Sequence, residues 1–271
     1  MAKRKSRIQL RSGSELDGLR EAGAFAAKIL RLCCEMAKPG TTTGEVDQAA
    51  REWISENNCT SAFLGYKGFP GQICISVNEE VVHGIGGDRA LTDTDIVKID
   101  VGILSKEGWI GDNAKTVAVG GLSPEAESLL AATEESLHAA INRARDGENL
   151  SSVCAAVESH VQRFGFTVVK QFVGHGVGRE LHEEPQVPNY WDPVEMTSRR
   201  FKNPRLRAGM VLAIEPMVNA GTEDVIILDD DWTVITKDRS LSAHFEHTVL
   251  VTEGEPEILT PRERSFAPVA A

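Results

Sequence analysis

Five side chains able to bind a cation or move a proton stand in matching surroundings. They are Asp100 in "IVKIDVGI", Asp112 in "WIGDNAKTVAV", His175 in "VGHGVGRELHEEP", Glu215 in "GMVLAIEPMV" and Glu246 in "HFEHTVLV". A carboxylate inside an apolar β run is costly to bury unless it is paired, hydrogen-bonded or bound to metal. Asp100 alternates with Ile99 and Val101, so it faces the opposite side of its strand from them. One such acid is ordinarily a solvated or salt-bridged residue. Four in similar contexts, with one histidine in a glycine-rich strand end, point to metal. Carboxylate-rich ligation with a single imidazole suits two divalent ions sharing bridging acids, whereas a structural zinc cage prefers cysteine and histidine. Such paired ions lie roughly 3.5–4 Å apart and activate water for hydrolysis.

The remaining histidines divide by context. His175 and His182 are seven apart with glycines between, which excludes a helical His-Glu-x-x-His pair. They are two ligands, a base and its helper, or loop residues. His83 sits beside glycines in "VVHGIGG" and alone reads as a loop histidine. His138 and His160 fall within predicted helices without neighbouring ligands, so a structural or surface role is expected. His244 and His247 flank Glu246, and at most one of them supports it. No Gly-x-Ser-x-Gly elbow or phosphate-binding Gly-x-x-x-x-Gly-Lys loop is present.

These residues need a scaffold, and the pattern predicts one. A helix begins at Ser14 with apolar residues from Leu16 to Ala37 at helical spacing, stopped by Pro39-Gly40; a second follows "TTTGE". Strands are expected at Ile73 to Val77, "DIVKIDVGIL" and "AKTVAVGG". Ser123-Pro124 opens a third helix, expected to about Arg145, and a fourth should end at Gly165. Strands then follow at "TVVKQFV", "GMVLAIEPMV", "DVIILD", "WTVITK" and "HTVLVTEG". The order helix, helix, strands occurs twice, which suggests two similar halves bringing two acids each to a shared axis.

Composition sets the outer limits. The 271 residues carry 29 basic and 40 acidic side chains, a net charge of −11, with 41% hydrophobic residues. An acidic globular body argues against DNA or anionic membranes as partners. The one basic cluster, Lys3, Arg4, Lys5 and Arg7, reads as a frayed terminus, with a polyanion-binding arm, for instance to RNA, as the other reading. Five cysteines without Cys-x-x-Cys spacing fit reduced thiols in the cytoplasm. No apolar run reaches the ~20 residues that would span a bilayer.

Taken in order, "KPGTTTGEVD", "GYKGFPGQICISVNE", "GHGVGRELHEEPQVPNY", "GMVLAIEPMVNAG" and "TKDRSLSAHFEHTVLV" resemble the type I methionine aminopeptidases of the pita-bread metallopeptidase fold. The likeness runs from about Ser14 to Leu259. It implies an α+β pita-bread fold, two pseudo-symmetric halves with an antiparallel curved sheet covered by helices. It also implies a flexible basic N-terminus over 1–13, a single catalytic domain over 14–259, and a loose C-terminal tail over 260–271.

By the same resemblance, Asp112 and Glu246 would bridge two divalent ions (Fe2+, Mn2+, Co2+ or Zn2+). Asp100 would complete one site, and His175 with Glu215 the other. Glu215 would handle the proton of a bridging water that attacks the peptide carbonyl. His182 would hydrogen-bond the substrate's peptide group, and His83 would act near its amine. Tyr66, Phe69, Cys74, Leu181 and Trp232 would form a methionine pocket, and a small second residue would be preferred. The chain departs from the common pattern at Ile110, where a histidine is frequent, at Gly86, where proline is, and at pocket positions Phe63 and Leu181. Expected partners are N-terminal Met peptides and nascent chains, with ribosome contact through the basic arm, in a monomer. The other readings are a proline peptidase or creatinase-like hydrolase of the same fold, and a non-catalytic binding module.

Overall fold

The apolar stripe starting at Leu16 winds into α1 (Ser14–Met36), whose Leu19, Ala22, Ala26, Ile29, Leu30 and Cys33 face inward. The computed structural model describes residues 7–198 and 201–266, so Lys3, Arg4 and Lys5 lie outside the described residues. The second helix, α2 (Thr43–Glu56), opens on a capping box: Thr42 Oγ1 accepts the Glu45 N–H at 3.1 Å, and the Glu45 carboxylate accepts the Thr42 N–H at 2.7 Å. Such reciprocal bonds satisfy two of a helix's orphan donors.

Five strands follow: β1 (Thr60–Ser61), β2 (Cys74–Val77), β3 (Glu80–Val82), β4 (Ile96–Leu104) and β5 (Ile110–Ala118). Central β4 pairs antiparallel with β1, β2 and β5. Both of its faces are covered, with Ile99, Val101 and Ile103 in the same core as α1 and α2.

The second half repeats the pattern. Helices α3 (Pro124–Ile141) and α4 (Leu150–Gln162) stop short of the expected Arg145 and Gly165. The chain turns locally after Ile141, and tertiary bonds follow: Asp146 N–H donates to Thr252 O and Gly147 N–H to Leu206 O. Then come β6 (Thr167–Val168), β7 (Gly174–Gly176), β8 (Glu183–Val187), α5 (Pro193–Ser198), β9 (Val211–Ile214), β10 (Met217–Asn219), β11 (Val225–Ile227), β12 (Val234–Thr236), β13 (Ser242–His244), β14 (His247–Leu250) and β15 (Glu257–Ile258). The "TVVKQFV" run is a strand only over its first two residues.

The run "GMVLAIEPMV" is two strands, not one. Pro216 has no N–H to continue a ladder, and the chain changes sheets there. Strand β9 lies in the five-stranded sheet β15-β14-β9-β7-β8, and β10 lies in β13-β10-β6. A second three-stranded sheet, β11-β12-β3, joins the two halves through β12 and β3. Helices α3 and α4 share the second core with Leu212, Ile214, Val218 and Val249.

Described residues near each end bond to the body of the fold. The Arg11 N–H donates to Gly209 O, and its guanidinium pairs with Glu183 at 2.6 Å. Past Leu259, the Ser265 and Phe266 N–H groups donate to buried Glu134. All five cysteines are free thiols. Among the described residues no helix is long and apolar enough to cross a membrane.

Candidate metal centre and substrate cleft

The register of β4 against β5 places Asp100 opposite Ala114 and Asp112 opposite Gly102. The two acids are diagonal neighbours on one face, the arrangement that lets side chains two residues apart meet across strands. Cys74 of β2 stands opposite Asp100 and shares that face. Gly102 is required by close approach, since a Cβ there would enter the Phe63 ring. The second half supplies His175 from β7, Glu215 after β9 and Glu246 before β14.

These residues meet in one cavity of about 270 Å³. Its lining includes all of the residues expected at the site: Asp100, Asp112, His175, Glu215 and Glu246, the histidines His83 and His182, and Tyr66, Phe69, Cys74, Leu181 and Trp232. It also includes residues that the pattern did not single out, among them Val82, Phe172, Met217 and Lys67. Phe172 and Val173 were hidden inside an expected strand; nothing local marks a residue that turns into a cleft.

The chemistry of the acids fits a cation. Asp100 Oδ1, Asp112 Oδ1 and Glu246 Oε1 are buried without a hydrogen-bond partner. Burial, followed by repulsion from Asp112, raises Asp100; burial, then Asp112 and other neighbouring acids, raises Glu215 and Glu246. Burial also raises Asp112. Buried carboxylates without counter-charge are costly. Asp112, His175 and Glu246 offer ligand atoms all within 4.8 Å of one another. Asp100 and Glu215 fall outside that tight triplet but line the same cavity.

His175 completes the fit. Its Nδ1 lies 3.0 Å from Gly176 O, which makes Nδ1 the protonated nitrogen. The lone pair of Nε2 therefore faces Glu215 Oε1 at 3.5 Å and Asp112 Oδ2 at 3.8 Å. Burial depresses this imidazole to about 3, so it is neutral. Nε2 thus offers a lone pair beside these acids, and the donor set of oxygens with one imidazole suits a divalent ion.

His182 sits beside this cluster. Its ring centroid is 4.2 Å from that of His175, and Tyr66 Oη is 2.8 Å from its Nδ1. Burial and then the Lys67 charge lower it to about 4. His83 is lowered to about 4 by burial first, then by His182 and Lys67. It is held at φ 60°, a strained left-handed conformation for a non-glycine residue. Its ring packs edge-on against Phe172 and Trp232. Trp232 in turn meets Phe69 edge-on at 5.1 Å.

Of the pair around Glu246, His244 lines the cavity with Nε2 3.9 Å from Glu215 Oε2, while His247 turns away to Thr260 Oγ1. A Cβ at Gly174 or Gly176 would strike the backbone of Ala213 or Glu184 in neighbouring strands, so they serve strand packing.

The match of a family model agrees with this geometry: residues 17–253 fit metallopeptidase family M24, and the chain belongs to that family. Relatives of high identity include methionine aminopeptidases. The chain is 48% identical over 246 residues to methionine aminopeptidase 1 of Bacillus subtilis, covering 91% of this chain and 96% of that protein. It is 43% identical over 263 residues to methionine aminopeptidase of Escherichia coli K12, covering 96% and 97%. A crystal structure of methionine aminopeptidase from Thermotoga maritima superposes with TM-score 0.89 at 40% identity, covering 94% of this chain and all of the other. Prolidase from Pyrococcus furiosus shares the fold, with TM-score 0.76 at 22% identity, covering 94% of this chain and 66% of that one.

Proposed function

We propose that this protein is a metal-dependent aminopeptidase that removes N-terminal methionine from peptides and nascent chains, with a small second residue preferred. One observation carries the reading: buried, cation-competent Asp112, His175 and Glu246 share a cavity with an aromatic and sulfur-bearing apolar wall. The high identity to methionine aminopeptidases over most of both chains supports it. The proline-peptidase alternative has weaker support, a shared fold at 22% identity. Action on nascent chains would put the enzyme in the cytoplasm, a reading that five free cysteines support.

Asp100, Asp112, His175, Glu215 and Glu246 would hold two divalent ions. When bound, such ions supply Lewis acidity and lower the pKa of water. The chain's own groups do the rest. Glu215, raised by burial and by neighbouring acids, holds and returns a proton at the scissile bond. Neutral His182, fixed by Tyr66 Oη, presents its Nε2 to the substrate's peptide group. His83, neutral and strained into place, stands near the substrate amine. Tyr66, Phe69, Cys74, Leu181 and Trp232 take the methionine side chain, since aromatic and sulfur groups favour a polarizable thioether.

The test compares Met-Gly, Met-Leu and Leu-Gly peptides sharing one downstream sequence, with Fe2+, Mn2+, Co2+ or Zn2+ returned to metal-free protein. Met-Gly should be cleaved fastest. Equal rates for Met-Gly and Leu-Gly would defeat the methionine pocket, and robust turnover without metal would sink the metal centre.

A further inference from the structure

The segment after Leu259 reaches the backbone of the acid cluster. Leu259 N–H donates to Thr248 O at 2.8 Å, and Thr260 Oγ1 accepts the Thr248 N–H at 3.1 Å. Thr248 is itself tied to an acid: its hydroxyl donates to Asp112 O at 2.7 Å and accepts the Asp112 N–H at 3.3 Å. Two residues beyond Thr260, Arg262 spreads its guanidinium over two carbonyls. Its Nη1 donates to Glu246 O at 2.8 Å and its Nη2 to Ala114 O at 2.9 Å. Ala114 O also accepts the Glu246 N–H at 2.8 Å.

The backbones of Asp112 and Glu246 are thus joined twice, through Thr248 and through the Ala114–Glu246–Arg262 set. These acids come from the two halves of the chain, Asp112 on β5 and Glu246 in the gap between β13 and β14 of other sheets, so no ladder of one sheet sets their separation. Arg262 is not an ordinary surface cation. Among the described residues it has no ion-paired carboxylate, and its Nε is buried without a hydrogen-bond partner. Burying a guanidinium without a carboxylate is costly, and here the cation's bonds go to two backbone carbonyls, with Nη1 also 3.2 Å from His247 Nδ1.

We infer that Arg262 is a positioning residue for the metal centre: by clamping Glu246 O and Ala114 O it sets the spacing between the Asp112 and Glu246 carboxylates. The inference rests on the reading of those two acids as ligands. Ligand geometry in metal sites is held to a few tenths of an ångström, and groups that orient ligands commonly change affinity 10–100-fold when removed. Arg262 is suited to this by its rigid fork, which reaches two acceptors at once, as a lysine's single point charge does not.

The experiment titrates Mn2+ into metal-free full-length protein by calorimetry, comparing wild type, R262A, R262K and L129A. Leu129 is fully buried in the second core and serves as a destabilised control remote from the site. All are measured well below their own Tm. R262A should bind Mn2+ about 10–100-fold more weakly, R262K should recover part of the loss, and L129A should bind like wild type. At saturating Mn2+, the kcat of R262A should return towards wild type while its apparent metal constant stays shifted. Wild-type affinity in R262A, or an equal loss in L129A, overturns the inference. If R262A does not fold, R262K decides: a severalfold loss supports it and unchanged affinity overturns it. If wild-type protein binds no Mn2+, the ligand assignment itself has failed, and the inference goes with it.

Discussion

Glu215 and Glu246 lie on the two sides of one gap in the sheet ladders. Ile214 pairs with His247 in one sheet and Met217 pairs with His244 in another. Between these pairs, Glu215-Pro216 faces Phe245-Glu246, and Phe245 N–H reaches Pro216 O at 3.3 Å. Two strands change sheets at the same level, and at each change an acid leaves the ladder and lines the cavity.

The gap makes Glu215 replaceable without unravelling a strand. E215Q should fold with near wild-type Tm yet hydrolyse a Met-Gly peptide about 100- to 10,000-fold more slowly, the range for losing a positioned acid–base group. Steady-state kcat at saturating metal reads this. A loss below tenfold would remove Glu215 from the proton-handling role.

Buried carboxylates raised by desolvation and mutual repulsion should hold protons until a cation arrives. Adding Mn2+ or Co2+ to metal-free protein in weak buffer should therefore release protons. It should also raise Tm, since ligand at 100 times its Kd contributes about 2.7 kcal/mol. Calorimetry in two buffers of different ionisation enthalpy counts the protons. Binding without release would contradict the protonated apo site.

Trp232 meets both Phe69 and His83 edge-on in the cleft. W232A removes a pocket wall and an aromatic contact worth about 0.5–1.5 kcal/mol. The kcat/KM for Met-Gly should fall about tenfold, carried mainly by KM, and the preference for Met-Gly over Leu-Gly should narrow. An unchanged ratio between the two peptides would place methionine selection elsewhere.

Away from the site, Asp238 accepts the Thr222 N–H at 2.8 Å, the Ser240 N–H at 3.1 Å and the Ser240 hydroxyl at 2.7 Å. The Thr222 bond, then the Ser240 hydroxyl, push it down to about 2 from an ordinary 3.8. A depressed folded pKa gives stability that is full above the unfolded value and is lost as pH falls through the folded one. Wild type should thus lose this contribution as pH falls from about 4 towards 2. Tm measured across that window should fall less steeply in D238N; parallel curves would show that the turn does not couple to stability.

Much of the site could be read in the chain because its chemistry is local. An acid between Ile99 and Val101, or between Ile214 and Pro216, conflicts with its apolar neighbours whatever the fold. The conflict names the residue before any contact is known. Helix starts were legible for a similar reason: the Thr42–Glu45 capping box and the Ser123-Pro124 opening act within four residues.

Other features depend on distant partners. Helix α3 ends at Ile141 in a local turn, after which Asp146 and Gly147 bond to Thr252 and Leu206 far along the chain. Gly174 and Gly176 serve strands whose closeness no spacing reveals, and Arg262 finds its two carbonyls 148 and 16 residues away. The sequence by itself determined which side chains could hold a cation and which stretches could pair or coil, because solvation cost and hydrogen-bond periodicity are properties of short segments. Only the tertiary structure decided that strands break at Glu215 and Glu246, that both acids line one cavity with Asp100 and Asp112, and what fastens them there. Those choices balance backbone hydrogen bonds and burial between segments far apart in the chain, and no short segment contains that balance.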